Sequence, residues 1–176
     1  GVCELCKGIN SGNALDVIEI DAASNTGVEN IRELIERSRF APAKARWKVY
    51  VIDECHMLST AAFNALLKTL EEPPRQVVFI LATTDPQRVL PTILSRCMRF
   101  DFRRIGLNDL ENHLISIAKK EGILINEAAI SLIAKHSQGG LRDAESLLDQ
   151  VSLLPPPINE SNIINLIGAV PEEELI

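Results

Sequence analysis

Lys48-Val49-Tyr50-Val51-Ile52-Asp53-Glu54 decides the fold of this 176-residue chain. Its apolar centre, Val49 to Ile52, is uninterrupted, which is the mark of a strand buried on both faces of a parallel sheet. Working outward, Ser59 is a good cap for a helix whose stripe is Phe63, Leu66, Leu67 and Leu70. Pro73-Pro74 ends it, because proline lacks the amide donor and restricts the residue before it. Val77 to Thr83 is the next buried strand. A short segment over 89–95 then leads to a last strand, Met98 to Phe102. On the other side, Val17 to Asp21 reads as a short strand. Thr26 is placed to cap a helix carrying Val28, Ile31, Leu34 and Ile35, which Ala41-Pro42-Ala43 closes. The opening Gly1 to Gly12 reads as irregular. Strand alternating with helix gives an α/β domain with a parallel sheet over residues 1–103.

Beyond Arg103 no strand pattern recurs. Asn108 and Glu111 resemble a capping box ahead of Leu110, Leu114, Ile117 and Ala118. Asn126 opens a second helix, which stops before Gly139-Gly140, and Leu141 to Val151 forms a third, stopped by Pro155. A fourth runs from about Asn159 to Ile167 and ends at Gly168. Residues 104–169 are therefore expected to be a small all-α domain, with 170–176 beginning another.

Hydrophobic residues make up 46% of the chain and aromatics 4%, so the core must be aliphatic. Eighteen Lys and Arg against 24 Asp and Glu leave a net charge of −6, which excludes nucleic-acid binding through overall charge. A local basic run, Arg37, Arg39, Lys44, Arg46 and Lys48, is a solvated face or a surface that tracks phosphates. No apolar run nears the ~20 residues of a membrane span, and no signal-peptide pattern is present. Cys3 and Cys6 form a C-x-x-C pair, while Cys55 and Cys97 stand alone. No disulfide framework is visible, which suits a reducing, cytoplasmic setting. The pair is half of a four-thiolate zinc site, two unpaired thiols, or a redox couple.

Four apolar residues followed by Asp53-Glu54 form the Walker B pattern of nucleotide hydrolases. Ligands of open parallel sheets sit beyond the carboxyl ends of the strands, where both acids would lie. The first can hold Mg²⁺ and the second can polarise the attacking water. The neighbouring strand ends in Thr83-Thr84-Asp85, placing hydroxyls at the same rim. Ser95-Arg96-Cys97 puts an arginine at the domain edge, solvated or reaching a neighbour's site. Gly140-Leu141-Arg142-Asp143 places Arg142 in a first helical turn, where a cation opposes the dipole and wants an anionic partner. No G-x-x-x-x-G-K-[ST] occurs in the sequence. The chain alone is not expected to bind or hydrolyse nucleotide well, and this absence and the half zinc site together point to an upstream segment.

Asp53-Glu54-Cys55-His56-Met57-Leu58-Ser59, then Phe63-Asn64-Ala65-Leu66-Leu67-Lys68-Thr69-Leu70-Glu71-Glu72-Pro73-Pro74, resemble the clamp-loader branch of AAA+ ATPases. Ala82-Thr83-Thr84-Asp85-Pro86, Ser95-Arg96-Cys97 and Gly140-Leu141-Arg142-Asp143-Ala144 strengthen the likeness and extend it over nearly the whole chain. The resemblance implies a P-loop NTPase core followed by a helical lid. It makes Asp53 and Glu54 the Walker B pair, Thr84 sensor 1, Arg96 the arginine finger and Arg142 sensor 2. Cys3 and Cys6 become the last two cysteines of a four-cysteine zinc module. ATP, Mg²⁺ and Zn²⁺ are the implied cofactors. The implied partners are the other subunits of a pentameric loader, the sliding clamp and primer–template DNA. Two other readings stay open. Asp53-Glu54-Cys55-His56 also suits a DExH helicase, although that scheme has no place for Ser95-Arg96-Cys97. The chain could also serve as a non-catalytic assembly module.

Overall fold

Val17–Asp21 (β1), Lys48–Asp53 (β2) and Val77–Leu81 (β3) form one parallel sheet, in the order β1-β2-β3, in the computed structural model, which describes residues 1–168. The register sets Asp21 beside Asp53 and Ile52 beside Leu81, so the carboxyl ends share one rim. Side chains alternate between faces along a strand. One face carries Ile18, Ile20, Tyr50, Ile52, Phe79 and Leu81 into the core. There they meet Ile31 and Leu34 of α2 (Val28–Ser38) and Phe63 and Leu66 of α3 (Thr60–Glu71). On the other face Val78 is 39% and Ile80 47% exposed. Burial on both faces is therefore corrected to burial on one: an unbroken apolar run does not distinguish a sheet covered on one side from one covered on two.

Local chemistry explains most boundaries. Ser59 accepts the Ala62 N–H at 3.2 Å, and such a cap is worth about 1 kcal/mol to its helix. For α2 the cap is Gly27 rather than Thr26, with no side-chain bond. The opening stretch is not irregular: Glu4–Asn10 forms α1, which buries none of its residues. Met98 to Phe102 is no strand, and among the described residues the sheet has three strands. The segment has the alternating pattern, but a strand also needs a neighbour to pair with. Met98 and Phe102 instead stand 82% and 97% exposed. Pro91–Leu94 (α4) precedes it.

One buried acid holds the α2–β2 connection. Asp16 is 4% exposed and accepts the N–H groups of Ala43, Lys44 and Ala45, each at 2.7 Å. These donors, led by Ala45, hold its carboxyl below the usual carboxylate range. The stabilisation is thus complete above the unfolded-state pKa and is lost as pH falls through the lower folded-state value. Asp16→Ala should lower stability by about 2–3 kcal/mol in denaturant melts at neutral pH, because it orphans three amides. The difference from wild type should shrink in acid.

The chain divides after Phe100, and the second compact unit starts at Asp101. It holds Leu107–Glu121 (α5), Glu127–His136 (α6), Leu141–Ser152 (α7) and Glu160–Ile167 (α8). Leu110, Leu114, Ile130, Ile133, Leu148, Val151 and Ile163 close its core. Asn126 and Asn159 cap their helices through their side chains. α5 starts from Gly106 without a side-chain cap, so the Asn108–Glu111 box does not form; Asn108 lies inside the first turn. Gly139 is needed where it stands: its φ is +82°, and a Cβ would come within 2.8 Å of the Arg104 Cβ. The expected start of a further domain, 170–176, lies outside the described residues.

Candidate active site

Asp53 ends β2, and there the chain turns through Glu54, whose φ of 46° and ψ of 43° are left-handed. A non-glycine residue held in that region costs of order 1 kcal/mol, and such strain gathers at functional sites. Three bonds hold the turn. Asp53 Oδ1 accepts the Glu54 N–H at 2.9 Å, and the Cys55 N–H donates to the Ala82 carbonyl at 2.9 Å. The Ala82 N–H in turn reaches the Ile52 carbonyl at 2.9 Å, so the two strand ends are tied together. Glu54 Oε2 accepts the Thr84 hydroxyl at 2.9 Å and the Thr84 N–H at 3.3 Å. His56 Nδ1 sits 2.9 Å from Thr83 Oγ1 and 3.2 Å from Glu54 Oε2. Asp53, Glu54 and Thr84 therefore converge on one rim. His56 and Thr83 complete the cluster; the sequence places the Thr83 hydroxyl at this rim but gives His56 no role there.

Cys55, beneath this rim, is 1% exposed, and its thiol is pushed up to about 11 by burial, with Cys97, Glu54 and Asp53 adding to it. It stays a thiol at neutral pH, a packing residue and not a nucleophile. A cavity of about 490 Å³ in this unit reaches the rim at Asp21 but is not lined by Asp53, Glu54 or Thr84. It opens between β1 and α2, beside Ile18, Leu34, Phe40 and Tyr50.

Arg96 is engaged within its own chain. Nε donates to Glu71 Oε1 at 2.8 Å and Nη2 donates to the same oxygen, while Nη1 donates to the Thr92 carbonyl at 2.7 Å. Arg142 is exposed in the first turn of α7 in the second unit, after the Gly139-Gly140 pair. A cavity of about 270 Å³ near that helix start is lined by Arg104, Ser137, Gly140 and Asp143 among others. Of the basic run, Arg37 pairs with Glu33, Arg39 with Glu36, and Lys48 Nζ donates to the Arg37 carbonyl. Only Lys44 and Arg46 of the five are wholly given to the exposed loop, so the run is not one continuous uncompensated stripe.

Cys3 and Cys6 bring their sulfurs to 3.4 Å. Two thiolates bound at about 2.3 Å in a tetrahedral zinc site lie roughly 3.8 Å apart, so the pair has nearly the spacing such an ion needs. The Cys3 thiol is held below its ordinary value by the Cys6 N–H first and the Cys6 thiol second. Two sulfurs do not complete a site, and no group of three or more His, Cys, Asp or Glu converges among the described residues. Asp53, a hard oxygen donor at an exposed strand end, fits Mg²⁺.

A parallel sheet whose strand-end acids and threonine meet at one rim, in a chain that continues into a helical unit, has the architecture of an AAA+ ATPase core and lid. Solved structures share that fold: the chain overlays the Thermotoga maritima RuvB Holliday junction branch migration motor with a TM-score of 0.68 at 20% identity, over 91% of this chain and 55% of that one. A Thermotoga maritima protein described as DNA polymerase III gamma subunit-related overlays with a TM-score of 0.54 at 22% identity, over 90% and 59%.

Residues 1–106 match the family model described as DNA polymerase III, delta subunit, and residues 109–152 match that of the DNA polymerase III clamp loader subunit, ATPase lid domain. The chain belongs to the DNA polymerase III clamp-loader subunit family. It is 49% identical to DNA polymerase III subunit tau of Bacillus subtilis over 96% of this chain and 51% identical to that of Escherichia coli over 85%. A DNA polymerase III subunit gamma of Buchnera aphidicola is 46% identical over 97%. The chain spans 30% of the first relative's length, 23% of the second's and 48% of the third's.

Proposed function

We propose that this chain is the catalytic-rim and lid portion of a tau/gamma-type subunit whose full-length form hydrolyses ATP to load a sliding clamp onto primer–template DNA. The observation that carries the reading is the meeting of Asp53, Glu54 and Thr84 at the carboxyl rim of the sheet. Asp53 supplies the oxygen for Mg²⁺, which when bound neutralises charge on the phosphates. Glu54 polarises the attacking water, Thr84 orients Glu54, and Arg142 offers its cation to a phosphate. Arg96 reaches into a neighbouring subunit's site. Cys3 and Cys6 supply two of the four thiolates of a zinc module. A helicase is the weaker reading, because the second unit is an all-helical bundle and not a second motor domain.

The phosphate-cradling loop is absent from this sequence, so the test belongs to the full-length protein assembled with its fellow subunits. Its ATP turnover should rise when clamp and primed duplex are added, and clamp should appear on the DNA. The same preparation should carry one zinc ion per subunit. Turnover indifferent to clamp and DNA would overturn the loader reading, and a metal-free preparation the zinc one.

A further inference from the structure

We propose that His56 is a positioning residue for hydrolysis: its Nδ1–H, aimed by Thr83, fixes the Glu54 carboxylate so that Oε1 faces the attacking water. The proposal rests on the ATP-hydrolysis reading and adds to it a residue outside the strand-end acids.

His56 lies in the tight turn Cys55–Met57, which the Cys55 N–H pins to the end of β3 through the Ala82 carbonyl. Its side chain is only 10% exposed, so the ring has little freedom to turn. Nδ1 faces two oxygens, Thr83 Oγ1 at 2.9 Å and Glu54 Oε2 at 3.2 Å. An ionised carboxylate only accepts. A bare nitrogen lone pair that close to Oε2 would be repelled, whereas an N–H is attracted by both oxygens, so the proton belongs on Nδ1. Thr83 can serve as its acceptor while it also accepts the Asp85 N–H at 3.0 Å, because a hydroxyl oxygen has two lone pairs.

The donors are unevenly shared between the two carboxylate oxygens. Oε2 accepts the Thr84 hydroxyl and the Thr84 N–H and faces His56 Nδ1. Among the described residues none donates to Oε1, and the Glu54 side chain is 35% exposed, enough for solvent to reach it. The terminal torsion of a glutamate is broad, so an unrestrained carboxylate would sample many directions. Thr84 restrains it from the β3 side and His56 from the β2 side. A restraint of this kind affects how often water meets a correctly aimed oxygen, and hence kcat, without changing the groups that bind the nucleotide.

Two measurements test this. In the 176-residue chain, selective ¹⁵N labelling of histidine should show a pyrrole-type, proton-bearing Nδ1 for His56. A pyridine-type Nδ1 overturns the proposal whatever the enzyme does. In the full-length assembled protein, His56→Ala should lower kcat by about ten- to a hundredfold with ATP affinity unchanged. His56→Asn, whose side-chain N–H occupies the Nδ1 position, should recover to within about threefold of wild type. A kcat for His56→Ala within twofold of wild type, or equal losses in the Ala and Asn variants with both folded by circular dichroism, overturns the assignment. Glu54→Gln run in parallel separates the two levels. If that variant hydrolyses normally, the assignment of Glu54 as the polarising base has failed, and with it the reading on which the role of His56 rests; if it is inactive while His56→Ala is not, only the role of His56 has.

Discussion

Glu54→Gln in the full-length protein should leave ATP binding intact and cut turnover by about a hundred- to a thousandfold. The size of the loss follows from how the carboxylate is held. Its Oε2 accepts two bonds from Thr84 and lies 3.2 Å from His56 Nδ1. A glutamine at this position keeps its single acceptor oxygen turned toward those donors, because the alternative faces an NH₂ group against an N–H and an O–H. The NH₂ then points where Oε1 had pointed and presents a donor to a water that needs an acceptor. The substitution thus inverts the polarity of the one contact the reaction depends on, while leaving the shape of the rim and the neighbouring Asp53 in place. Equilibrium nucleotide binding and single-turnover hydrolysis, measured on the same preparation, separate the two effects. Undiminished hydrolysis would remove Glu54 from the role of polarising base, and a lost binding step would move its contribution to the ground state.

The strand-end acids were legible in the sequence because they are continuous with the apolar run that forms β2. A strand whose carboxyl end carries charge announces both its direction and its rim. Helices with side-chain caps were equally legible: Ser59, Asn126 and Asn159 each hold the amide that their position predicts. Where the cap is a glycine, as at Gly27 and Gly106, no side chain marks the start, and Thr26 and Asn108 offered themselves instead. Met98 to Phe102 has the alternation of a strand, but pairing depends on a partner that no local pattern encodes. Distance along the chain hid the remaining contacts. His56 meets Thr83 across 27 positions, Arg96 meets Glu71 across 25, and Asp16 gathers amides 27 to 29 positions away. The first and the last are created by the parallel crossover, which brings loops far apart in sequence to neighbouring strand ends, and the second by α4 packing against α3.

Arg96→Ala should depress hydrolysis in the neighbouring subunit's site by about a thousandfold, the lower range for an arginine finger, and leave nucleotide affinity at its own site unchanged. The in-chain contacts of Arg96 decide whether such a loss can be read as catalytic. Glu71 is the last residue of α3, where a negative charge opposes the helix dipole, and Arg96 is its compensating cation. Removing the guanidinium therefore has a structural cost as well. That cost is small: Glu71 is 49% and Arg96 32% exposed at the side chain, and pairs this open contribute about 1 kcal/mol or less. A thousandfold loss corresponds to about 4 kcal/mol, well beyond anything the broken pair could supply. Arg96→Lys sharpens the distinction. A lysine can still neutralise Glu71, so stability should return, but it lacks the planar fork and should not restore the neighbour's turnover. Assemblies that mix mutant and wild-type subunits, with hydrolysis-dead sites marked by Glu54→Gln, locate the defect. A loss that follows the subunit carrying the mutation, and not its neighbour, removes Arg96 from the finger role and returns it to the part the structure already displays, a clamp between α3 and the end of α4.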